Sequence, residues 1–242
     1  MNFNLKNLLV LDIETVTQCN SLTELGPSLQ KLWKHKSQFL RNEEALTDDE
    51  MYFARGGIYS EFGKVIVIGL GIFCTMPDQS LGLRVTSMQS DDEQSLLSDF
   101  TDFITSKFNQ DDLVLCAHNG KEFDFPYLCR RLLINEIEVP PSLNLTAKKP
   151  WEVQHLDTME MWKFGDRKNF TSLELLTEVF GIPSSKSDIT GAQVNEVYYR
   201  ENNGLERIAD YCRGDVVATA QLCLKLHNLP AIDLSLIHIS EP

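Results

Sequence analysis

The chain has 242 residues, of which 43% are hydrophobic and 24% are charged, and its formal net charge at pH 7 is −13. Its length suits one large domain or two small ones, and its composition is that of an ordinary folded protein. The negative charge disfavours a protein that coats nucleic acid by broad phosphate neutralisation, but it leaves room for a local basic groove or for acids neutralised by metal ions.

The sequence predicts neither a membrane span nor a cysteine-based metal site. The longest apolar run, VIVIGLGIF at 65–73, is far shorter than the roughly 18 residues that a spanning helix needs. The N-terminal apolar stretch is too short for a secretory signal, so we expect a cytoplasmic protein. The six cysteines show no C-x-x-C spacing, and we expect them to be reduced and mostly buried.

The predicted elements alternate between strand and helix. We expect strands over 8–14, 64–74, 83–90, 111–119 and 153–162, the last of which runs into a helical start. Helices are expected over 91–108 with Ser90 as N-cap, from residue 124, over 172–181 with Gly181 as the stop, and over 204–226. This order predicts an α/β fold with one mixed sheet flanked by helices.

Two segments stand apart from this pattern. Residues 17–56 are predicted to form a polar helical insertion, and their LQKLWKHKSQFLR stretch is either a solvated helix or a basic flap that meets phosphates. The last nine residues, LSLIHISEP at 234–242, resemble the translation of an adapter oligonucleotide used in sequencing libraries. We therefore expect a single domain over 1–233 and a non-native tail after it.

Carboxylates follow or open several of these elements. NLLVLDIETV at 7–16 ends an apolar strand in Asp12 and Glu14, which face the same side because strand side chains alternate. Asp124 opens a helix directly after a strand, and Tyr211 and Asp215 share one face of the last helix. Taken singly, each feature also has an ordinary explanation: surface acids at a strand exit, an acid at a helix N-terminus and a chance spacing.

Gathered in one site, the four carboxylates would need cations. Like charges about 4 Å apart repel by about 4 kcal/mol at an effective dielectric near 20. A site of oxygen ligands alone favours Mg²⁺ or Mn²⁺, and two such ions can clamp the attacking and leaving oxygens of a phosphodiester. A glycosidase needs only two carboxylates and does not account for the tyrosine.

Three stretches, LDIET, HNGKEFDFPYL and YCRGDVVAT, resemble in order and spacing the exonuclease motifs of the DEDD superfamily, tyrosine branch (DEDDy). From about residue 6 to 228 the chain is similar to the stand-alone predicted 3′-5′ exonucleases related to the proofreading domain of family B DNA polymerases. The resemblance implies an RNase H-like fold with a central five-stranded mixed sheet. The superfamily's other branch has His five residues before the last acid, where this chain has Asp210.

The resemblance also implies a site and two cofactors, Mg²⁺ or Mn²⁺. Asp12 would bridge both metals, Glu14 and Asp215 would hold the first, and Asp124 would support the second. Tyr211 is a poor base because its phenol pKa is near 10. We therefore expect it to orient the nucleophile together with Glu14.

Substrate contacts are implied for Asn119 and Phe123, by a hydrogen bond and by packing against a base of the terminal nucleotide. Their ordinary alternatives are a turn asparagine and a core phenylalanine. Among the other candidates, we expect His118 and Asp157 to be structural. Three cations have two equally good interpretations, as phosphate contacts or as part of a solvated loop: Lys163, Arg167 and Lys168.

The leading hypothesis is a two-metal 3′-5′ exonuclease that acts on 3′ ends of single-stranded DNA and releases nucleoside 5′-monophosphates. An exoribonuclease of the same superfamily is the alternative, since nothing in the sequence reads the 2′-hydroxyl. A catalytically silent nucleic-acid-binding domain is a third hypothesis, and the intact acids count against it. The net charge predicts weak, distributive binding that depends steeply on salt.

Overall fold

The protein is described by a computed structural model over residues 5–149, 152–166, 170–183 and 188–240. Six strands and eight α-helices lie within these ranges. The strands are β1 (Leu8–Thr17), β2 (Gly63–Thr75), β3 (Leu81–Gln89), β4 (Val114–Ala117), β5 (Leu156–Asp157) and β6 (Ile237–Ile239). The helices are α1 (Pro27–Ser37), α2 (Asp48–Arg55), α3 (Glu93–Lys107), α4 (Asp124–Ile134), α5 (Thr158–Lys163), α6 (Leu173–Phe180), α7 (Val194–Arg200) and α8 (Gly204–Leu226).

The strands form one mixed sheet in the order β5-β4-β1-β2-β3-β6. Strand β2 runs antiparallel to both β1 and β3, whereas β4 is parallel to β1 and β5 is parallel to β4. The predicted mixed α/β sheet is therefore confirmed. It has six strands where five were predicted, because residues 237–239 of the tail pair in parallel with Leu83–Val85 at the sheet edge. An unpaired edge is a ready template for such an addition, and the foreign origin of the tail stays a prediction.

Both faces of the sheet are covered, which explains why β1 is apolar throughout its first half. Leu9, Leu11 and Ile13 pack in one core with residues of α3 and α4. Val10 packs in a second core with Val216 of α8. Since the side-chain period of a strand is two, Asp12 and Glu14 continue the face that α8 covers.

The insertion between β1 and β2 carries a small aromatic core of its own. Trp33 is fully buried and meets Tyr52 and Phe62 edge to face, with ring centroids 5.4 and 5.0 Å away. Its indole N–H donates to the backbone carbonyl of Asp48 at 2.9 Å. Helices α1 and α2 therefore pack against each other around a shared aromatic core. One of the two interpretations of this segment from the sequence was a solvated helix without such packing.

Several element boundaries differ from the prediction. Strands β4 and β5 are shorter than expected, and helix α7 lies between the predicted helices 172–181 and 204–226, where no element was predicted. The N-cap of α3 is Asp92, whose side chain accepts hydrogen bonds from the backbone N–H groups of Gln94 and Ser95, whereas Ser90 instead accepts from the N–H of Asp92. The predicted stop of α6 is confirmed, because Gly181 adopts a left-handed φ of 61°.

The described ranges can be compared with two predictions from composition, and one of them, that the cysteines are mostly buried, holds for only half of them. None of the helices there is both long and apolar enough to cross a membrane. All six cysteines are free thiols, three of them buried and three partly buried.

Candidate active site

Two glycines on β2 let α8 approach the sheet closely beside the first pair of acids. Gly69 pairs across the sheet with Asp12, and a Cβ added to it would lie 2.8 Å from Sγ of Cys212. A Cβ at Gly71 would lie 2.7 Å from the side chain of Val216. Only a residue without a side chain fits at such an approach. The consequence is that the middle of α8 lies directly over the middle of β1, at Asp12.

Asp12 and Glu14 project together from β1, as the strand period predicts. Burial is the main cause that raises the pKa of each well above its ordinary value. Asp124 and Asp215 add charge repulsion to both, and Asp12 adds it to Glu14. Asp124 and Asp215 are therefore close enough to the two acids of β1 to destabilise their ionised forms.

Asp124 reaches this cluster from the N-terminus of α4. Its Oδ1 accepts a hydrogen bond from the backbone N–H of Ile13 at 3.2 Å, between the two acids of β1. Burial raises the pKa of Asp124 to about 7, against the lowering effect of the N–H groups of Asp124 itself and of Ile13. A carboxyl group in this environment is only partly ionised at neutral pH without a cation.

Tyr211 and Asp215 come from consecutive turns of α8. Burial raises the pKa of Asp215 to about 6, and the hydrogen bond from Tyr211 partly offsets this rise. Burial, followed by repulsion from Asp215 and Glu14, raises the pKa of Tyr211, so its phenol stays protonated. Asp210 forms an ion pair with Arg213. The tyrosine, and not the residue before it, therefore belongs to the acid cluster.

Cys212 is a member of the cluster that sequence analysis did not identify. Its thiol donates to Oδ2 of Asp12 at 3.3 Å, and one ligand atom each from Asp12, Glu14 and Cys212 lie within 4.8 Å of one another. Burial, then repulsion from Asp12 and Glu14, raises the pKa of the thiol, so it acts as a donor. Its place one residue after Tyr211 gave no signal, because consecutive helix residues do not share a face.

The donor set fits a hard divalent cation. Its acids are carboxylates, the ligands that Mg²⁺ and Mn²⁺ prefer, whereas the Cys212 thiol stays protonated. Burial disfavours the ionised state of Asp12, Glu14 and Asp124, and repulsion adds to this effect at Asp12 and Glu14. A bound cation would reverse both effects. Such an arrangement costs stability in the absence of metal, which a purely structural set of acids would not require.

Two histidines near the site hold the fold, which agrees with the structural role predicted for His118. The ring of His118 hydrogen-bonds Oγ1 of Thr158 at 2.9 Å and the carbonyl of Thr171 at 3.0 Å. Nδ1 of His155 accepts from the N–H of Leu115, and its Nε2 donates to the carbonyl of Ser142. Both rings use both nitrogens, and neither is free for proton transfer.

Asp157 is also structural, as predicted. Its carboxylate accepts hydrogen bonds of 3.0 to 3.2 Å from four backbone N–H groups, those of Asn119, Lys121, Met159 and Glu160. It thereby ties the turn after β4 to the N-terminus of α5. A carboxylate satisfied in this way has little capacity left for a metal.

The two predicted substrate contacts line different cavities. Phe123 is partly buried against Tyr127, with ring centroids 5.3 Å apart, and lines a cleft of about 620 Å³ beside Glu14. Asn119 has a φ of 65° in a turn and lines a second groove of about 960 Å³, together with Lys163. The binding roles of Asn119 and Phe123 stay predictions. Arg167 and Lys168 lie outside the described residues.

With the fold and the acids placed, comparison with known proteins identifies the family. The family model described as "Predicted 3'-5' exonuclease related to the exonuclease domain of PolB" matches residues 60–232, more than half of the chain. This chain belongs to that family. The match includes Asp124, Tyr211 and Asp215, while Asp12 and Glu14 precede it and are joined to it by the pairing of β1 with β2.

Comparison with solved structures confirms the RNase H-like fold predicted for this chain. The family B DNA polymerase from the hyperthermophilic archaeon Pyrobaculum calidifontis is similar, with a TM-score of 0.58 and 16% sequence identity. The likeness covers 91% of this chain but 24% of the polymerase chain, and at this identity it shows the fold alone. No curated protein matches the sequence.

Proposed function

We propose that the protein is a metal-dependent 3′-5′ exonuclease that shortens single-stranded DNA and releases nucleoside 5′-monophosphates. One observation carries the proposal: four carboxylates from three separate elements, two of them buried and two half-buried, lie close together, with a protonated tyrosine beside the last of them. The family to which the chain belongs is described by the same reaction type. Substrate, metals and product are our inference.

Asp12, Glu14, Asp124 and Asp215 are the proposed ligands of two Mg²⁺ or Mn²⁺ ions. When bound, the two ions supply activation of water and charge stabilisation at the attacking and leaving oxygens of the phosphodiester. The protein's part is to hold the ligands in place. The Ile13 N–H positions Asp124, and the Cys212 thiol positions Asp12.

Tyr211 is proposed to orient the attacking water together with Glu14. A neutral phenol is a hydrogen-bond donor and acceptor, and it is unsuited to act as a base because its pKa lies well above neutrality. Its hydrogen bond with Asp215 fixes the direction of the hydroxyl group. The tyrosine thus contributes positioning, which alone accounts for large rate effects in enzymes.

Product analysis tests this function. The 3′-terminal phosphodiester of a DNA oligonucleotide would carry the label, with an RNA of the same sequence as the comparison, in Mg²⁺ or Mn²⁺. We expect the labelled product to co-migrate with a nucleoside 5′-monophosphate from the earliest time point. Labelled oligonucleotides would indicate internal cleavage and contradict the proposal, and faster loss of the RNA would favour an exoribonuclease.

A further inference from the structure

The insertion forms one wall of the cleft that opens beside the acid cluster. Glu14 and Phe123 line this cleft of about 620 Å³ on the side of the acid cluster. Gly191 and Ala192, just before α7, also line it. The opposite wall is made by residues 41–58, at the end of α2 and in the loop before it. A volume of this size is in the range of ordinary ligand pockets, roughly 300 to 1,000 Å³.

Arg55 is the cation of this wall that is not already neutralised. Arg41 also lines the cleft, but it forms an ion pair with Glu43 at 2.5 Å. Arg55 is exposed, and no carboxylate among the described residues lies within ion-pair distance of it. Glu44 lines the same cleft without pairing to it. The chain has a net charge of −13. An unpaired arginine near the acid cluster therefore provides a local positive charge that can bind an anion.

Apolar side chains accompany this arginine. Ile58 is 56% exposed and lines the cleft, as does Phe123 from the other side. An arginine next to exposed apolar surface matches a nucleotide strand, which alternates phosphates with flat bases. Neither feature alone would distinguish a nucleotide strand from another anion or from an apolar ligand.

The wall is held rigidly to the elements that carry the acids. The carbonyl of Gly57 accepts hydrogen bonds from the hydroxyl of Thr15 on β1 at 2.9 Å and from that of Tyr127 on α4 at 2.8 Å. Nδ2 of Asn195 donates to the carbonyl of Phe53 at 2.9 Å. Arg55 therefore lies on backbone that is fixed relative to both Glu14 and Asp124, which favours a preorganised binding site.

We propose that the cleft holds the nucleotides just upstream of the scissile bond, with Arg55 paired to a backbone phosphate and Ile58 packed against a base. The proposal rests on the proposed function, because it assumes that the scissile phosphate lies at the four acids. The acids and their metals already account for that phosphate. An arginine across the cleft is thus left for the next phosphate along the strand, which its planar fork can bind with two parallel hydrogen bonds.

The test compares Arg55→Gln with Lys107→Gln, a matched loss of charge at an exposed position of α3 that does not line the cleft. Two substrates are used, a single-stranded DNA tetranucleotide and thymidine 5′-monophosphate p-nitrophenyl ester, which has no upstream phosphate. For Arg55→Gln we expect the KM of the tetranucleotide to rise about five- to tenfold, with kcat and the ester unchanged. The slope of log KM against log salt should decrease in magnitude by about 0.7.

Equal KM values for the two variants would overturn the proposal, as would an equal effect of Arg55→Gln on both substrates. Fluorescence anisotropy with a labelled tetranucleotide makes the same comparison without turnover. If the wild type binds but cleaves nothing, and Arg55→Gln alone weakens binding, the cleft stands and the proposed exonuclease function fails. If both variants bind like the wild type, the cleft assignment fails whatever the activity.

Discussion

The backbone N–H of Ile13 donates a 3.2 Å hydrogen bond to Oδ1 of Asp124, across 111 residues of sequence. Ile13 separates Asp12 from Glu14, so this bond docks the start of α4 onto the strand that carries the first two acids. Hydrogen bonds to a carboxylate are among the stronger ones in proteins. The third acid is therefore positioned by the fold itself, before any metal binds.

This position predicts how stability without metal depends on pH. Burial raises the pKa of Asp124 to about 7 from an ordinary value of 3.8. Between these values the folded protein retains a proton that the unfolded chain has released, so the free energy of unfolding falls as pH rises from about 4 to 7. Asp124→Asn keeps an oxygen acceptor for Ile13 but cannot ionise, and we expect its stability to decline less over that range.

Thermal melting in EDTA at pH 5 and at pH 7.5 measures this effect. The relevant quantity is the difference between wild type and Asp124→Asn at each pH, because charges distant from Asp124 affect both proteins alike. The variant also removes the repulsion of Asp124 on Asp12 and Glu14, which acts in the same direction. We expect Asp124→Asn to gain relative stability at pH 7.5. A wild type that gains on the variant as pH rises would show that Asp124 is ionised without strain.

The thiol of Cys212 predicts a specific effect on metal use. Cys212→Ser keeps a donor for Oδ2 of Asp12, whereas Cys212→Val fills the space without one. Outer hydrogen bonds to metal ligands commonly contribute about 10- to 100-fold in metal affinity. We expect the Mn²⁺ concentration for half-maximal activity to rise about tenfold or more in the valine variant and to stay near wild type in the serine variant. Equal behaviour of the two variants would assign Cys212 to packing alone.

Gly69 predicts that the distance between α8 and the sheet is limited by side-chain size. A Cβ there would lie 2.7 Å from Val216 and 2.8 Å from Cys212 Sγ, so Gly69→Ala should destabilise the fold by about 1 to 3 kcal/mol. It should also lower activity by displacing Tyr211 and Asp215. Gly26 has a φ of −58° and open space around it, which makes Gly26→Ala the matched control.

Urea unfolding and nuclease assays on both alanine variants check this prediction. We expect a lower midpoint and reduced activity for Gly69→Ala alone. An unchanged midpoint for Gly69→Ala would mean that α8 has room to spare, and the close approach would then have no bearing on the site.

The end of the fold is predicted to lie at about residue 233. Gln221 exchanges two hydrogen bonds of 2.7 and 2.8 Å with the backbone of Ile232, which is buried. A chain ended after Asp233 keeps these bonds, whereas one ended after Pro230 leaves a buried amide unpaired, at a cost of about 1 to 3 kcal/mol. Melting temperatures of the two truncations measure the difference. A large loss on removing 234–242 alone would show that the tail is part of the fold.

Local periodicity explains which parts of the site could be predicted from the sequence. Asp12 and Glu14 had to share a face because strand side chains alternate, and α8 matches its predicted bounds because its apolar pattern persists over many turns. Whether α8 covers that face of β1 depends on Gly69 and Gly71, whose role appears only once the strands are paired. The contact of Cys212 with Asp12 was hidden for the same reason.

Tertiary contacts also account for the parts that were wrong or incomplete. Strand β4 ends at Ala117, short of the predicted 119, because His118 and Asn119 are drawn into contacts with α5 and with the turn that Asp157 caps. The polar sequence of the insertion did not indicate that Trp33 lies at the centre of an aromatic core. The insertion is positioned beside the cleft by hydrogen bonds from Thr15 and Tyr127 to the carbonyl of Gly57, and both residues are distant from Gly57 in sequence.

The most direct test of the central claim is the time course of a 5′-labelled single-stranded DNA oligonucleotide with Mg²⁺ or Mn²⁺. The account predicts a ladder that shortens one nucleotide at a time from the 3′ end, abolished by EDTA and by Asp12→Ala. Asp102→Ala, on the exposed face of α3, should leave the ladder unchanged. No shortening by the wild type with either metal, or shortening that survives Asp12→Ala, would contradict the assigned site.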